Sequence, residues 1–390
     1  MSRLARLLVI TVVESLATIL IERGIYFYTH ERLAFTDVEN LWLALAFGVA
    51  YAAGALSSHG VSRPLSEKGL LVAALVAQFV VQVGLCVWPA STMLIAGTTL
   101  VGLFTGLKWP LVESYVAAGQ TPRDQAKRVG RFNLAWAAPT AVAVAASGPL
   151  IAWRTEGLFL VAAALNVISM ALLWPLERRP VHLAADHPER PNPEEMARYR
   201  GLLGSARWSM LSKYSLMWIL AALLPGVFAR LGVDVRLATT MSGLLDVVRC
   251  LTFLVLGLYV GWHNRRGPLA WAIVGLPVGF FMALFAPNLP VLLAGEVIFG
   301  VAAGMAYYAA LYYALVVKNA SVEASGAHEG LIGTGFAIGP VAGLAGHAMA
   351  PALGGLVQGM VAGTGVIVLT CGLGAAVTLA RTCRRAAPRT

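Results

Sequence analysis

Polar residues along this chain gather into short runs that separate about twelve long apolar stretches. A helix needs about 20 mostly apolar residues to cross the hydrocarbon layer of a bilayer. On that measure the pattern predicts membrane spans over residues 7–29, 38–58, 69–89, 91–117, 130–153, 156–175, 207–229, 236–262, 267–287, 289–317, 329–352 and 357–380. Two outer connections, Trp88-Pro89-Ala90-Ser91 and Pro287-Asn288-Leu289-Pro290, have room only for a turn, so the helices they join lie side by side and antiparallel. The longest polar segment, 176–206, sits in the middle and carries Pro180, Pro188, Pro191 and Pro193, which exclude one continuous helix there. The expected architecture is an all-α membrane protein with a six-helix half over 1–176, a cytoplasmic linker over 177–206 and a second six-helix half over 207–390.

Charge sharpens this picture and orients it. Of the 29 lysines and arginines, Arg23, Lys108, Lys213 and Arg249 fall inside spans and Arg32, Arg154, Arg230 and Arg236 fall in alternate loops. The other twenty-one, Arg3 and Arg6 through Arg123, Lys127, Arg178 and Arg190 to Arg389, fall in the tails, in the remaining loops or, as Arg131 and Arg207, at the very start of the span that follows such a loop. Positive charge is retained on the cytoplasmic side during insertion, so both termini are expected inside a multi-pass protein of the cytoplasmic or inner membrane. Composition agrees: 58% of residues are hydrophobic and only 12% charged, against about 25% charged in soluble domains. The net charge of +10 is spread over short loops, where anionic lipid headgroups are its neighbours. No basic face interleaved with aromatics appears, which excludes nucleic acid as a partner. Cys86, Cys250, Cys371 and Cys383 have neither paired nor metal-ligand spacing, and the sequence implies no metal and no cofactor.

The two halves also resemble each other. Gly102 and Gly106 in span 4 are matched by Gly300 and Gly304 in span 10, both offset by 198 residues, with aromatics following each pair. Small residues four apart let helix backbones approach closely, and their recurrence points to two pseudo-symmetric halves.

Six plus six helices, inward termini and a basic central loop resemble the major facilitator superfamily of secondary transporters. That family carries a Gly-x-Leu-x-Asp-Arg-x-Gly-Arg-Arg signature between spans 2 and 3. Here Gly54, Leu56 and Arg63 match it, while Ser58 and His59 replace the acid and the first arginine. A second-half copy keeps Gly257 and the pair Arg265-Arg266. The resemblance implies that Gly54, Arg63, Arg265 and Arg266 belong to gating loops, with the acidic latch missing. A glycine-proline run, Gly330 to Gly343, is similar to the antiporter motif of that family, placed in span 11 instead of span 5.

Charges inside a bilayer are costly and mark function. Span 1 carries Thr11, Glu14, Ser15, Thr18, Glu22 and Tyr26, which at about 100° per residue make one polar stripe. Span 4 offers Lys108, Trp109 and Glu113 around Pro110, whose missing N–H loosens the helix. At matching depth, Glu14, Lys108 and Glu113 are expected to form a carboxylate–ammonium–carboxylate cluster, with Glu14 as the coupling acid. Asp246 and Arg249 are close enough to pair on span 8, and Glu296, Tyr308 and Tyr312 stack along span 10. Lys213 reads as a lysine snorkelling to the headgroups, and His328-Glu329 as a helix-start feature.

The chain has no nucleophile elbow, phosphate-binding loop or metal cluster, so it is expected to be no enzyme. The expected function is secondary active transport of a small organic solute by a monomer, through proton-coupled efflux. Proton-coupled uptake of a sugar or organic acid is one alternative. A transport-inactive assembly factor or sensor of the same fold is the other.

Overall fold

The computed structural model describes residues 2–117, 122–179, 193–318 and 322–384, and among these it contains α-helices and turns but no strand. The helices are α1 (Arg3–Glu22), α2 (Gly24–Leu33), α3 (Asp37–Leu65), α4 (Glu67–Val87), α5 (Ser91–Ala117), α6 (Pro122–Trp153), α7 (Gly157–Leu173), α8 (Pro193–Arg230), α9 (Val235–Leu258), α10 (Gly267–Leu284), α11 (Leu289–Lys318), α12 (Val322–Leu353) and α13 (Leu356–Arg384). With α1 and α2 taken as one span broken at Arg23, eleven are long and apolar enough to cross a membrane. Seventeen-residue α7 sits at the short end of the spanning range and brings the count to twelve.

Helix ends are set by ordinary chemistry. Thr36 and Glu39 form a capping box that starts α3, and Asp234 accepts from the backbone N–H groups of Arg236 and Leu237 to start α9. Several helices outrun the apolar stretches. Helix α8 begins at Pro193, within the segment expected to be linker, because proline is well suited to the first helical position, where its missing N–H costs nothing. Helix α12 begins at Val322, two turns before the apolar run, because its first turns carry Glu323, Ser325 and His328. The signature segment 54–63 is likewise helical, since α3 continues to Leu65 and the connection shrinks to Ser66 at φ +69°.

Glycines fix the spacing of the bundle. A Cβ on Gly102 or Gly106 would stand 2.7 Å or 2.1 Å from the carbonyl oxygens of Phe47 and Tyr51, so α5 lies directly on α3. In the second half Gly300 faces the Leu245 carbonyl at 2.7 Å and Gly304 that of Arg249 at 3.3 Å, so α11 lies on α9. Leu245 and Arg249 follow Phe47 and Tyr51 by the same 198 residues that separate the glycines. The repeat therefore extends from each motif to the surface it meets.

The halves join along two seams. On one, Gly48 and Gly333 bring α3 against the backbone of α12, at 2.4 Å from Phe336 and 2.6 Å from Ala52. On the other, Gly148 of α6 meets Val235 and Thr239 of α9, and its N–H donates to the Thr239 hydroxyl at 3.1 Å.

Candidate functional site

Between the seams lies a cavity of about 80 Å³, lined from both halves by polar and aromatic side chains. Its acids are Glu22 of α1, Glu113 of α5 and Glu329 of α12, and its arginines are Arg23 and Arg249. Trp109, Trp136, Tyr214, Tyr307 and Phe336 supply much of the apolar wall. Eight helices, α1, α3, α5, α6, α8, α9, α11 and α12, thus converge on one space.

The polar stripe of span 1 splits its roles. Ser15, Thr18 and Glu22 line the cavity. Glu14 turns away to Lys108, whose Nζ donates to Glu14 at 2.5 Å and to the Gln78 side chain at 2.8 Å, all three residues being buried. Gln78 in turn donates to the Thr105 hydroxyl at 2.8 Å. This is a closed polar cluster behind the cavity wall, and it satisfies the ammonium with two acceptors.

Glu113 does not join it. Five residues further along α5, it lies on another face and shares a hydrogen bond with Glu329 of the opposite half. The Tyr51 hydroxyl of α3 donates to the same Glu329 carboxyl. The expected Glu14–Lys108–Glu113 triad is therefore replaced by two separate clusters, because a step of five residues along a helix rotates a side chain by about 140°.

Asp246 and Arg249 do pair, at 2.9 Å, and Arg23 approaches the same Asp246 at 3.6 Å. Arg23 occupies the break between α1 and α2, so the carboxylate ties the first half to the second. The Arg249 guanidinium also stands 4.8 Å over the Trp136 ring, a cation–π contact that holds it against the cavity wall. Glu296 is fully buried, and neither of its carboxyl oxygens finds a hydrogen-bond partner among the described residues.

Tyr308 and Tyr312 face away from the cavity. They pack on Trp262 with ring centroids 5.6 Å and 5.4 Å apart, and Tyr312 stacks on His263 at 4.2 Å. Their neighbour Tyr307, one residue and about 100° round α11, is the tyrosine that reaches the cavity. Trp109 also lines it.

Among the signature residues, Gly54 is a packing position: a Cβ there would meet the Leu103 carbonyl at 2.2 Å. Ser58, where the family has an acid, is buried and donates to the Leu107 carbonyl at 2.8 Å, tying α3 to α5 within one half. Arg63 lies beside His59 at 3.2 Å, and its carbonyl accepts from Arg179 at 2.9 Å. Arg265 and Arg266 are exposed in the turn before α10.

Two residues carry more than their sequence context suggests. Glu329 lies two turns inside α12 and reaches the cavity. Lys213 is wholly buried, with its Nζ 3.4 Å from the Tyr214 ring centroid and 5.1 Å from that of Tyr307. It does not snorkel, because α8 begins five turns earlier and carries it deep into the bundle. The sequence signal for both was their helical register with the aromatics around them, hidden by misplaced helix starts.

A sequence model of the Major Facilitator Superfamily matches residues 7–344. Among solved structures, a bacterial homolog to the human lysosomal transporter Spinster, inward-facing and unoccupied, superposes with a TM-score of 0.72 at 17% identity, covering 100% of this chain and 98% of that one. The nucleoside transporter NupG gives 0.65 at 14% identity, covering 99% and 100%. A POT family transporter in complex with 5-aminolevulinic acid gives 0.73 at 10% identity, covering 98% and 96%. Identities this low speak for the fold alone. Comparison with curated protein sequences finds no match.

Proposed function

The chain belongs to the Major Facilitator Superfamily, a family of membrane transporters, and on that premise we propose that it is a proton-coupled exporter of small organic cations. One observation carries the reading. The cavity holds three carboxyl groups among aromatic rings, while its two arginines both lean on Asp246. With Asp246 and the buried Lys213 of the cavity wall included, four acids stand against three cations. Such a space suits an amphipathic solute with a positive end for the carboxylates and an apolar or ring-bearing end for Trp109, Trp136 and Phe336. A proton and a cation that compete for the same carboxylate must leave it by turns, which is the logic of antiport.

About 80 Å³ holds a few water molecules, whereas organic ligands occupy sites of about 300 Å³ and more. Substrate binding thus requires the halves to part, as alternating access does. The site is complete within one chain, so the protein works as a monomer. The orientation read from charge places both termini in the cytoplasm.

Proteoliposomes with an internal acid load and a trapped pH dye test the proposal. Aromatic organic cations should discharge the proton gradient saturably, whereas neutral analogues of the same shape should not. Discharge by sugars or organic acids instead would turn the reading toward uptake. A flat trace with every solute class would remove transport altogether.

A further inference from the structure

The seam of α3 and α5 against α12 carries a second kind of chemistry. Glu113 and Glu329 come from opposite halves, are buried, and share a hydrogen bond while Tyr51 donates to Glu329. An ionised carboxylate only accepts hydrogen bonds. Two carboxylates in contact inside a bundle therefore hold together only if one proton lies between them. A separate observation concerns Lys213. It is fully buried on α8 of the second half, and its Nζ makes no hydrogen bond among the described residues. It is held instead on Tyr214 and Tyr307, two rings of the cavity wall that Glu329 also lines.

We propose that Glu329 is a two-position proton carrier, bridging to Glu113 through a shared proton when this seam is closed and yielding its charge to Lys213 when the seam parts. The step balances. Closing takes up one proton from water and joins two carboxylates through it. Opening returns that proton to water and leaves two carboxylates, of which one, in the same half as Lys213, is neutralised by the waiting ammonium.

The groups facing the pair support the exchange. Tyr51 faces it from α3, Glu22 and Arg23 from α1, Tyr214 and Lys213 from α8, Arg249 from α9 and Tyr307 from α11, while Ser325 and His328 stand on α12 itself. Arg23 and Arg249 are engaged by Asp246, which leaves Lys213 as the cation placed to answer Glu329. The proposal rests on the proton coupling inferred above and assigns it to a residue.

The test needs no substrate. Spin labels at Ser57 and Ala327, both exposed near one end of the seam, are placed in a cysteine-free background of the full chain in lipid nanodiscs. Distance distributions are then recorded across a pH series. The parent should hold one short population in acid and gain a longer one in alkali. Glu113→Gln with Glu329→Gln should keep the short population at every pH, and Glu31→Gln, exposed and outside the cavity lining, should switch as the parent does. Tyr51→Phe retains both acids but removes the hydroxyl that donates to Glu329 across the closed seam, so its transition should move several-fold in proton concentration away from the parent's. A parent whose distances ignore pH would overturn the proposal. So would a double variant that switches at the parent midpoint, or a Tyr51→Phe transition that stays in place. Export in the dye assay alongside such a failure would mean that protons are coupled elsewhere, at Glu22 for example. A working switch with no export would sink only the cation-export reading.

Discussion

Lys108 and Glu14 are each about 1% exposed, and a pair so deep gains its Coulomb energy only while both partners remain. Removing one partner of a buried pair costs about 3–5 kcal/mol, because the other is left charged and unpaired. Lys108→Met should therefore lower the thermal midpoint sharply, and adding Glu14→Gln should restore much of the loss. A double-mutant cycle on purified protein measures this. If each single variant melts with the parent, the two charges are not paired. The same geometry predicts that Glu14→Gln, whose residue lies behind the cavity wall, keeps proton-driven flux in liposomes, whereas Glu329→Gln loses it. Sequence alone marked most of these residues, since charges in apolar runs are conspicuous. It could not pair them, because a pairing depends on which way each helix is turned. Glu113 shows why: depth along α5 placed it near Lys108, and rotation delivered it to Glu329.

Helices packed through glycine leave no slack for an added carbon. Ala in place of Gly normally gains about 1 kcal/mol in a helix interior. Gly365→Ala, with open space around the new Cβ, should be neutral or mildly stabilising. Gly106→Ala drives a methyl to 2.1 Å from the Tyr51 carbonyl, and overpacking of this kind costs about 1–3 kcal/mol. Opposite signs in the thermal midpoints of these two variants are the expected result, and equal shifts would argue that α3 and α5 are spaced otherwise. At this scale the apolar runs announced every helix and the glycine pairs announced the closest contacts. Helix starts were less legible, because α8 and α12 open with polar turns that hydropathy reads as loop. The two residues most underrated in sequence, Lys213 and Glu329, lie on those two helices.

The bundle as a whole follows from hydropathy, charge asymmetry and the 198-residue repeat, and its orientation is open to direct measurement. In a cysteine-free background, Glu31→Cys should react with an impermeant thiol reagent on intact cells and Arg265→Cys should not. Both sites are exposed in turns or at helix ends. Labelling of Arg265→Cys alone would invert the topology. The positions 120 and 185 in the two longest basic loops make the same test, though they lie outside the described residues. The seams between the halves are where Gly48, Gly333 and Gly148 put bare backbone against the neighbouring helix. Interlocked side chains would have to climb over one another whenever the halves swing, and each such step would add to the barrier. At Gly48 and Gly333 smooth backbone offers nothing to unhook, so that joint acts as a low-friction bearing, and the pace of the cycle is left to the polar contacts that fasten and release between the halves, the Gly148–Thr239 hydrogen bond among them.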